Sequence, residues 1–211
     1  MLVEWTTLLA FAPAALALNL TPGADMMFCL GQGLRGGPRA GMAANLGIAA
    51  GSLVHMLAAG LGLAALLATA PQMFHAIRWA GVAYLVFLAV QVLTNPLGAT
   101  AATSARPASA RPTRAFRDAM AVNILNPKVA LFILAFLPQF VDPARPVLPQ
   151  FLILGGVLMA GGLVINGAVG VFAGGLGQAL ARSARMERGL RYVSAGIFFA
   201  LAARLALDGR R

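Results

Sequence analysis

The stretch Asn19–Asp25, which reads NLTPGAD, interrupts an apolar tract with a proline, a glycine and a carboxylate. The tract begins at Trp5 and carries no charged residue before Asp25. A charge inside an apolar segment is costly and is usually kept for a function. The role of this stretch therefore depends on the solvent that surrounds the tract.

The composition identifies that solvent as lipid. Of the 211 residues, 60% are hydrophobic and 10% are charged, and the mean hydropathy is +0.82, so the chain has too little polar surface for a soluble domain. A transmembrane helix needs roughly 20 mostly apolar residues. The sequence predicts an all-α membrane protein with six transmembrane helices, at residues 5–30, 41–69, 73–93, 118–141, 147–178 and 190–207.

The six predicted spans fall into two halves. Residues 94–117 are rich in Ala, Ser, Thr, Pro and Arg, which predicts a flexible cytoplasmic linker between a first repeat, residues 1–93, and a second, residues 118–211. Each half contains three spans. Because an odd number of crossings reverses direction, the halves are expected to be inverted repeats.

The two halves share a break in their first helix. Helix 1 is broken at NLTPGAD and helix 4 at NILNPKVA, and a capping residue precedes each proline: Thr21 before Pro22, and Asn126 before Pro127. An N-cap residue followed by proline at the first helical position begins a new helix. We therefore expect two half-helix N-termini inside the protein, each suited to an anion. Paired breaks of this kind are typical of a transporter's binding site, whereas the simpler interpretation is a pair of proline kinks.

Ionisable groups lie beside both breaks. Asp25 and Lys128 could pair with each other, or could separately hold the ammonium and the carboxylate of a small zwitterion; Lys128 could instead extend to the cytoplasmic headgroups. His55 could carry a proton or simply bond to a neighbouring helix. Asparagines in the spans could line a site or join helices. The predicted substrate-binding or coupling residues are Asn19, Thr21, Pro22, Gly23, Asp25, His55, Asn123, Asn126, Pro127, Lys128 and Asn166.

The net charge of +10 reflects topology rather than nucleic-acid binding. Arginines cluster after predicted helices 1, 3 and 5 and are sparse in the other loops, which places the odd-numbered loops in the cytoplasm and both termini outside. The same arginines attract anionic lipid. Membrane lipid is therefore an expected partner, and nucleic acid is not.

Other classes of site lack their signatures. The sequence has no HExxH and no Walker lysine, so we expect no metal, no cofactor, no ATP-driven pumping and no enzyme activity. Cys29 is the only cysteine, which excludes an internal disulfide and predicts a small buried hydrophobe. Gly47 with Gly51, and Gly170 with Gly174, have the spacing of closely packed helices.

Four segments together resemble the LysE/RhtB family of amino-acid exporters. They are TPGAD at residues 21–25, GIAAGSLVH at 47–55, AGVAYLVFLAVQVL at 80–93 and NILNPKVALFILAFLPQFV at 123–141. Ala24 stands where the family motif, T-P-G-P-D, has a second proline. The resemblance runs from about residue 5 to residue 207. It implies export of an amino acid or related small metabolite from the cytoplasm, driven by the proton motive force.

The interpretation that follows is a secondary transporter in the inner membrane of a bacterium. Two inverted halves enclose the site, and protonation of Asp25 or His55 couples inward proton movement to outward movement of the solute. A six-span solute channel of aquaporin-like architecture and a non-transporting membrane scaffold are the alternatives. A homodimer is compatible with the sequence, which does not identify the substrate.

Overall fold

The computed structural model describes residues 2–70, 73–94, 111–173 and 184–208, and every regular element in these ranges is helical. The all-α prediction is confirmed for this part of the chain. The helices are α1 (Trp5–Leu20), α2 (Ala24–Thr69), α3 (Met73–Thr94), α4 (Pro112–Ile124), α5 (Pro127–Leu131), α6 (Val147–Val171) and α7 (Ala184–Asp208). Helix α5 continues through a π-helical turn, Phe132–Phe136, and a 3₁₀ turn, Leu137–Phe140.

Both predicted breaks are present, but their capping differs. Asn126 is the N-cap of α5, with Pro127 at the first helical position, and its side-chain oxygen accepts a bond of 3.1 Å from the backbone N–H of Lys128. The same prediction is wrong for Thr21, which ends α1: its hydroxyl donates a 2.6 Å bond to the Ala17 carbonyl. Gly23 is the N-cap of α2. The Thr21 side chain thus bonds back to α1, and α2 begins only at Ala24.

Helix α2 replaces the predicted loop between residues 30 and 41. Only Gly37 leaves the helical conformation, with φ of 71° and ψ of −174°, and Pro38 directly follows it. Glycine reaches this φ without steric cost, and proline fits the first turn of the next segment. Arg35 and Arg39 therefore flank a kink, not a loop. At about 1.5 Å per residue the 46-residue helix is far longer than a bilayer core, and the kink at Gly37 divides it into two shorter pieces.

Close helix packing positions the two broken segments. Helix α2 packs along α4 and α6, α3 packs against α7, and α1 packs against α6 and α7. A side chain at Gly47 would overlap the Phe116 carbonyl of α4, and one at Gly170 would press on the backbone of Gly41. The close packing predicted from glycine spacing is confirmed at Gly47, Gly51 and Gly170, whereas Gly174 lies outside the described residues.

The helices bear apolar side chains on the outside as well as the inside. Within the described ranges, α2 and α6 are each long and apolar enough to cross a membrane, and α4 with the α5 segment adds a third span if that pair, bent by 52°, is counted as one. The number of spans thus stays a prediction. Cys29 is a free, buried thiol, as expected. Large exposed apolar residues include Leu9, Leu61, Val164, Phe172 and Leu207.

The predicted linker is only partly described. Residues 95–110 lie outside the described ranges, and α4 begins at Pro112, inside the stretch of 94–117 assigned to the linker. The division into two repeats at this point stays a prediction. Arg191 lies within α7, and its side chain donates to the carbonyls of Val92 and Leu93 at the end of α3.

Candidate substrate site

The carboxylate of Asp25 joins the two broken helices. Asp25 lies in the first turn of α2, where the helix dipole favours a negative charge. Its two oxygens accept bonds from the second break: Oδ2 from the Asn123 amide at 2.8 Å and Oδ1 from the Asn126 amide at 3.0 Å. The beginning of α2 is therefore tied to the residues that lead into α5.

The ammonium of Lys128, at the second break, bonds in turn to the first break. Its Nζ donates to the carbonyls of Leu18 at 2.9 Å and Thr21 at 2.7 Å, at the end of α1, where the dipole favours a positive charge. In the described part of the chain no ion pair within 4 Å joins Lys128 to Asp25. Lys128 is thus bonded inside the protein instead of extending to a membrane face, and the two opposite charges are held apart.

His55 and Ser52 support the site from the middle of α2. The Ser52 hydroxyl donates to Oδ1 of Asn123 at 3.3 Å, and Nε2 of His55 lies 3.2 Å from the backbone carbonyl oxygen of Asn123. Asn123 is fully buried, so these contacts orient the amide that meets Asp25. Ser52 was not predicted from the sequence. Its position, three residues before His55 on the same helix face, is the signal that could have identified it.

Asn19 and Asn166 line a small cavity beside the two charges. The cavity has a volume of about 30 Å³, and Asp25 and Lys128 also line it. The Asn19 amide donates to the Leu158 carbonyl at 3.0 Å and so joins α1 to α6. Asn166 is buried, and within the described residues its side chain has no hydrogen-bond partner. A space of this size holds water rather than a metabolite.

A larger cavity adjoins the small one. Its volume is about 280 Å³, and four residues, Thr21, Gly23, Asn126 and Lys128, line both cavities. Pro22 and Pro127 also line the larger one, so both breaks face it. The other lining residues are Ala24, Tyr84, Phe87, Gln91, Val92, Leu131 and Arg191.

Helix α3 supplies a wall of the larger cavity that was not predicted. Tyr84, Phe87 and Gln91 all line it, and their spacing of three and four residues places them on one helix face. The Tyr84 hydroxyl donates to the Lys128 carbonyl at 2.8 Å, and its ring stacks on Phe87 with centroids 6.1 Å apart. Polar and aromatic residues at this spacing within an apolar helix are the signal that could have identified the wall.

The structure brings the predicted residues together. Each of them lines one of the two cavities, except His55 and Asn123, and these two connect to Asp25 through hydrogen bonds. Their proposed roles in binding and coupling stay predictions. Among the described residues, no group of three His, Cys, Asp or Glu side chains could hold a metal ion.

Comparison with known proteins identifies the family. A model of LysE type translocators matches residues 16–209. The chain is 36% identical over 147 residues to a membrane protein of Vibrio cholerae, covering 70% of this chain and 71% of that protein. It is 33% identical over 155 residues to the homoserine/homoserine lactone efflux protein of Salmonella typhimurium, covering 74% and 73% of the two chains.

A third relative is named for the efflux of a different amino acid. The chain is 31% identical over 145 residues to the leucine efflux protein of Salmonella choleraesuis, covering 67% of this chain and 65% of that one. No solved structure matches the chain. The apolar helices and the bacterial membrane relatives show a multi-pass protein of the bacterial inner membrane. The chain belongs to the LysE/RhtB family, the family of LysE type translocators.

Proposed function

We propose that this protein is a secondary exporter that moves an amino acid or related small metabolite out of the cytoplasm, driven by the proton motive force. The observation that carries the proposal is the separation of Asp25 and Lys128 at the junction of two broken helices. The efflux activities in the names of the two Salmonella relatives support it. An exporter of this kind is a carrier and not an enzyme.

The two separated charges suit a zwitterion. A carboxylate has about four lone-pair positions, and the two Asn amides occupy two of those on Asp25, so an ammonium group can still approach it. An ammonium has three N–H donors, and Lys128 uses two on the α1 carbonyls, which leaves one for a substrate carboxylate. Since the small cavity is too small for an amino acid, the substrate enters through the larger cavity and places its charged end against the shared wall, with its carboxylate at Lys128 and its ammonium directed towards Asp25 in the small cavity.

The bonds at Asp25 provide a physical route to proton coupling. An ionised carboxylate accepts strong bonds from both amides, whereas a protonated one is neutral and carries an O–H donor on one oxygen, so it is a weaker acceptor for the two N–H₂ groups. Protonation therefore weakens the tie between α2 and the second break and favours their separation. His55 is connected to the same tie through Asn123 and is the second candidate for the proton.

The packing of the helices supports two inverted halves of three spans each. Helix α1 packs on α6 of the second half, and α4, its counterpart, packs on α2 of the first. The remaining counterparts, α2 with α6 and α3 with α7, pack on each other. Such reciprocal contacts are expected of alternating access, in which one half moves against the other around a central site. The cytoplasmic linker, the outside termini and a homodimer remain part of this proposal.

The test is efflux from proteoliposomes that contain the purified protein, with and without an imposed pH gradient. The Asp25→Asn variant keeps the shape of the side chain but removes the charge. We expect it to insert normally and to lose the response of amino-acid efflux to the gradient. The matched control is Asp118→Asn, because Asp118 is the carboxylate of an ion pair with Arg114 on α4, away from both cavities.

The outcomes separate the parts of the proposal. A full response to the gradient in Asp25→Asn would show that Asp25 is structural and would make His55 the leading coupling group. Failure of the wild-type protein to release amino acids would refute the exporter itself. Wild-type flux at channel rates, without saturation, would favour the aquaporin-like alternative.

A further inference from the structure

The larger cavity has two chemically different regions. The wall that it shares with the small cavity is polar and contains Lys128, whereas Phe87, Val92 and Leu131 form an apolar region. The volume of about 280 Å³ lies just below the range of ligand pockets, which typically measure roughly 300–1,000 Å³. The cavity therefore suits a small molecule with one charged end and one uncharged end.

The apolar region is held in a fixed position relative to the cation. Tyr84 donates its hydroxyl proton to the Lys128 carbonyl at 2.8 Å and stacks its ring on Phe87. The same face of α3 continues to Gln91, and the end of α3 is bonded to Arg191 of α7. A substrate with its carboxylate at Lys128 consequently places its side chain against Phe87 and towards Gln91.

The charged residues that line the larger cavity all carry the same sign. Its charged members are Lys128 and Arg191, both cationic, and no carboxylate occurs among the described residues that line the cavity. A lysine- or arginine-like side chain would lose its hydration there and meet only like charges. A second carboxylate would be desolvated against the apolar region, and Arg191 already donates to the carbonyl end of α3.

We infer that this cavity holds the side chain of the transported amino acid and admits uncharged side chains only, with Phe87 and Gln91 determining the specificity. The inference rests on the proposed export function and names the substrate class of the same site. Phe87 sets the size and apolar character of the compartment. Gln91 supplies a neutral polar group where a carboxylate would attract cations.

The experiment compares substrates in the wild-type protein. Proteoliposomes are loaded separately with radiolabelled leucine, homoserine, lysine or glutamate, and the initial rate of efflux is measured under the same pH gradient. We expect leucine and homoserine to leave at least about tenfold faster than lysine and glutamate. Export of lysine or glutamate at least as fast as leucine would overturn the inference while the export function stands. Export of none of the four refutes both.

Two variants test the named residues. Gln91→Glu is nearly isosteric and places a carboxylate in the compartment, so the ratio of lysine to leucine efflux should rise by about tenfold. The matched control is Thr94→Glu, at the exposed end of the same helix and outside the cavity lining, which should leave the ratio unchanged. An unchanged ratio in Gln91→Glu, or an equal change in Thr94→Glu, would contradict the role of Gln91.

Phe87→Ala provides a second readout that depends on size. It enlarges the compartment without adding charge, so the rate for phenylalanine should increase relative to the rate for leucine. Its control is Phe199→Ala, a phenylalanine on α7 that is exposed, as Phe87 is, but does not line the cavity. The role of Phe87 is excluded if the two variants have the same phenylalanine-to-leucine ratio.

Discussion

Replacing Asn126 by alanine removes two hydrogen bonds at the junction of the broken helices. The side-chain oxygen caps α5 by accepting from Lys128 N–H at 3.1 Å, and the amide donates to Asp25 at 3.0 Å. Asn126 is buried between the two cavities, so both bonds lie inside the protein. Loss of an N-cap costs about 1 kcal/mol. Loss of a bond to a charged group costs about 2 kcal/mol, so the free energy of unfolding should fall by about 3 kcal/mol.

Two further variants separate these contributions. Asn126→Ser keeps an oxygen that can cap α5 but has no amide to reach Asp25, so it should cost about 2 kcal/mol. Asn19→Ala is the matched control, since the Asn19 amide makes one bond to a neutral carbonyl, that of Leu158, and should cost about 1 kcal/mol. The expected order of stability is wild type, Asn19→Ala, Asn126→Ser and Asn126→Ala.

The order can be measured by unfolding each purified variant in mixed detergent micelles and following the loss of helical circular dichroism. Amino-acid efflux measured in parallel should fall further in both Asn126 variants than in Asn19→Ala. The reasoning is refuted if Asn126→Ala is no less stable than Asn19→Ala, because the bond between the two breaks would then contribute nothing. Equal stability of Asn126→Ser and Asn126→Ala would show that capping of α5 contributes no stability, and the contribution of the bond to Asp25 would stand.

Two remaining predictions concern the second break and the membrane orientation. Pro127→Ala should allow a more continuous helix and reduce efflux in proteoliposomes while membrane insertion persists, and normal efflux would reduce the break to an ordinary kink. A cysteine placed at Ser104 in the predicted cytoplasmic linker, in a Cys29→Ser background, should react with an impermeant thiol reagent only after cells are permeabilised. Labelling of intact cells would overturn the orientation.

The sequence predicted the breaks because they depend on local chemistry. Proline lacks an N–H, and Asn before proline is a strong helix start, so the break at Asn126 and Pro127 could be placed to the residue. The same reasoning failed for Thr21. Its hydroxyl lies between two helices and bonds to the end of α1 instead of capping the start of α2. The reasoning also failed at Gly37, where a Gly-Gly-Pro sequence suits a kink as well as a loop.

The partners of the charged groups could not be predicted because they are distant in sequence. Asp25 and Lys128 were identified as the important charges, but their acceptors and donors lie about a hundred residues away in the other half. The spacing of Tyr84 and Gln91 marks one face of α3, but only the folded chain shows that this face lies beside the second break. The local sequence pattern thus identified the charged groups, whereas their contacts depend on tertiary packing.

The reciprocal ties at the breaks suggest why a zwitterion in particular could drive the proposed transport cycle. A substrate carboxylate that binds the remaining N–H of Lys128 draws the ammonium away from the α1 carbonyls, and a substrate ammonium at the remaining lone pairs of Asp25 draws the carboxylate away from the Asn amides. Either group alone would loosen one tie and leave the other, so the two halves would stay joined. A molecule with both groups replaces both ties at once, exchanging protein bonds for substrate bonds at little net cost. Movement of the halves is then linked to occupancy by a complete substrate, which is the condition that an exporter must meet to avoid leakage of protons.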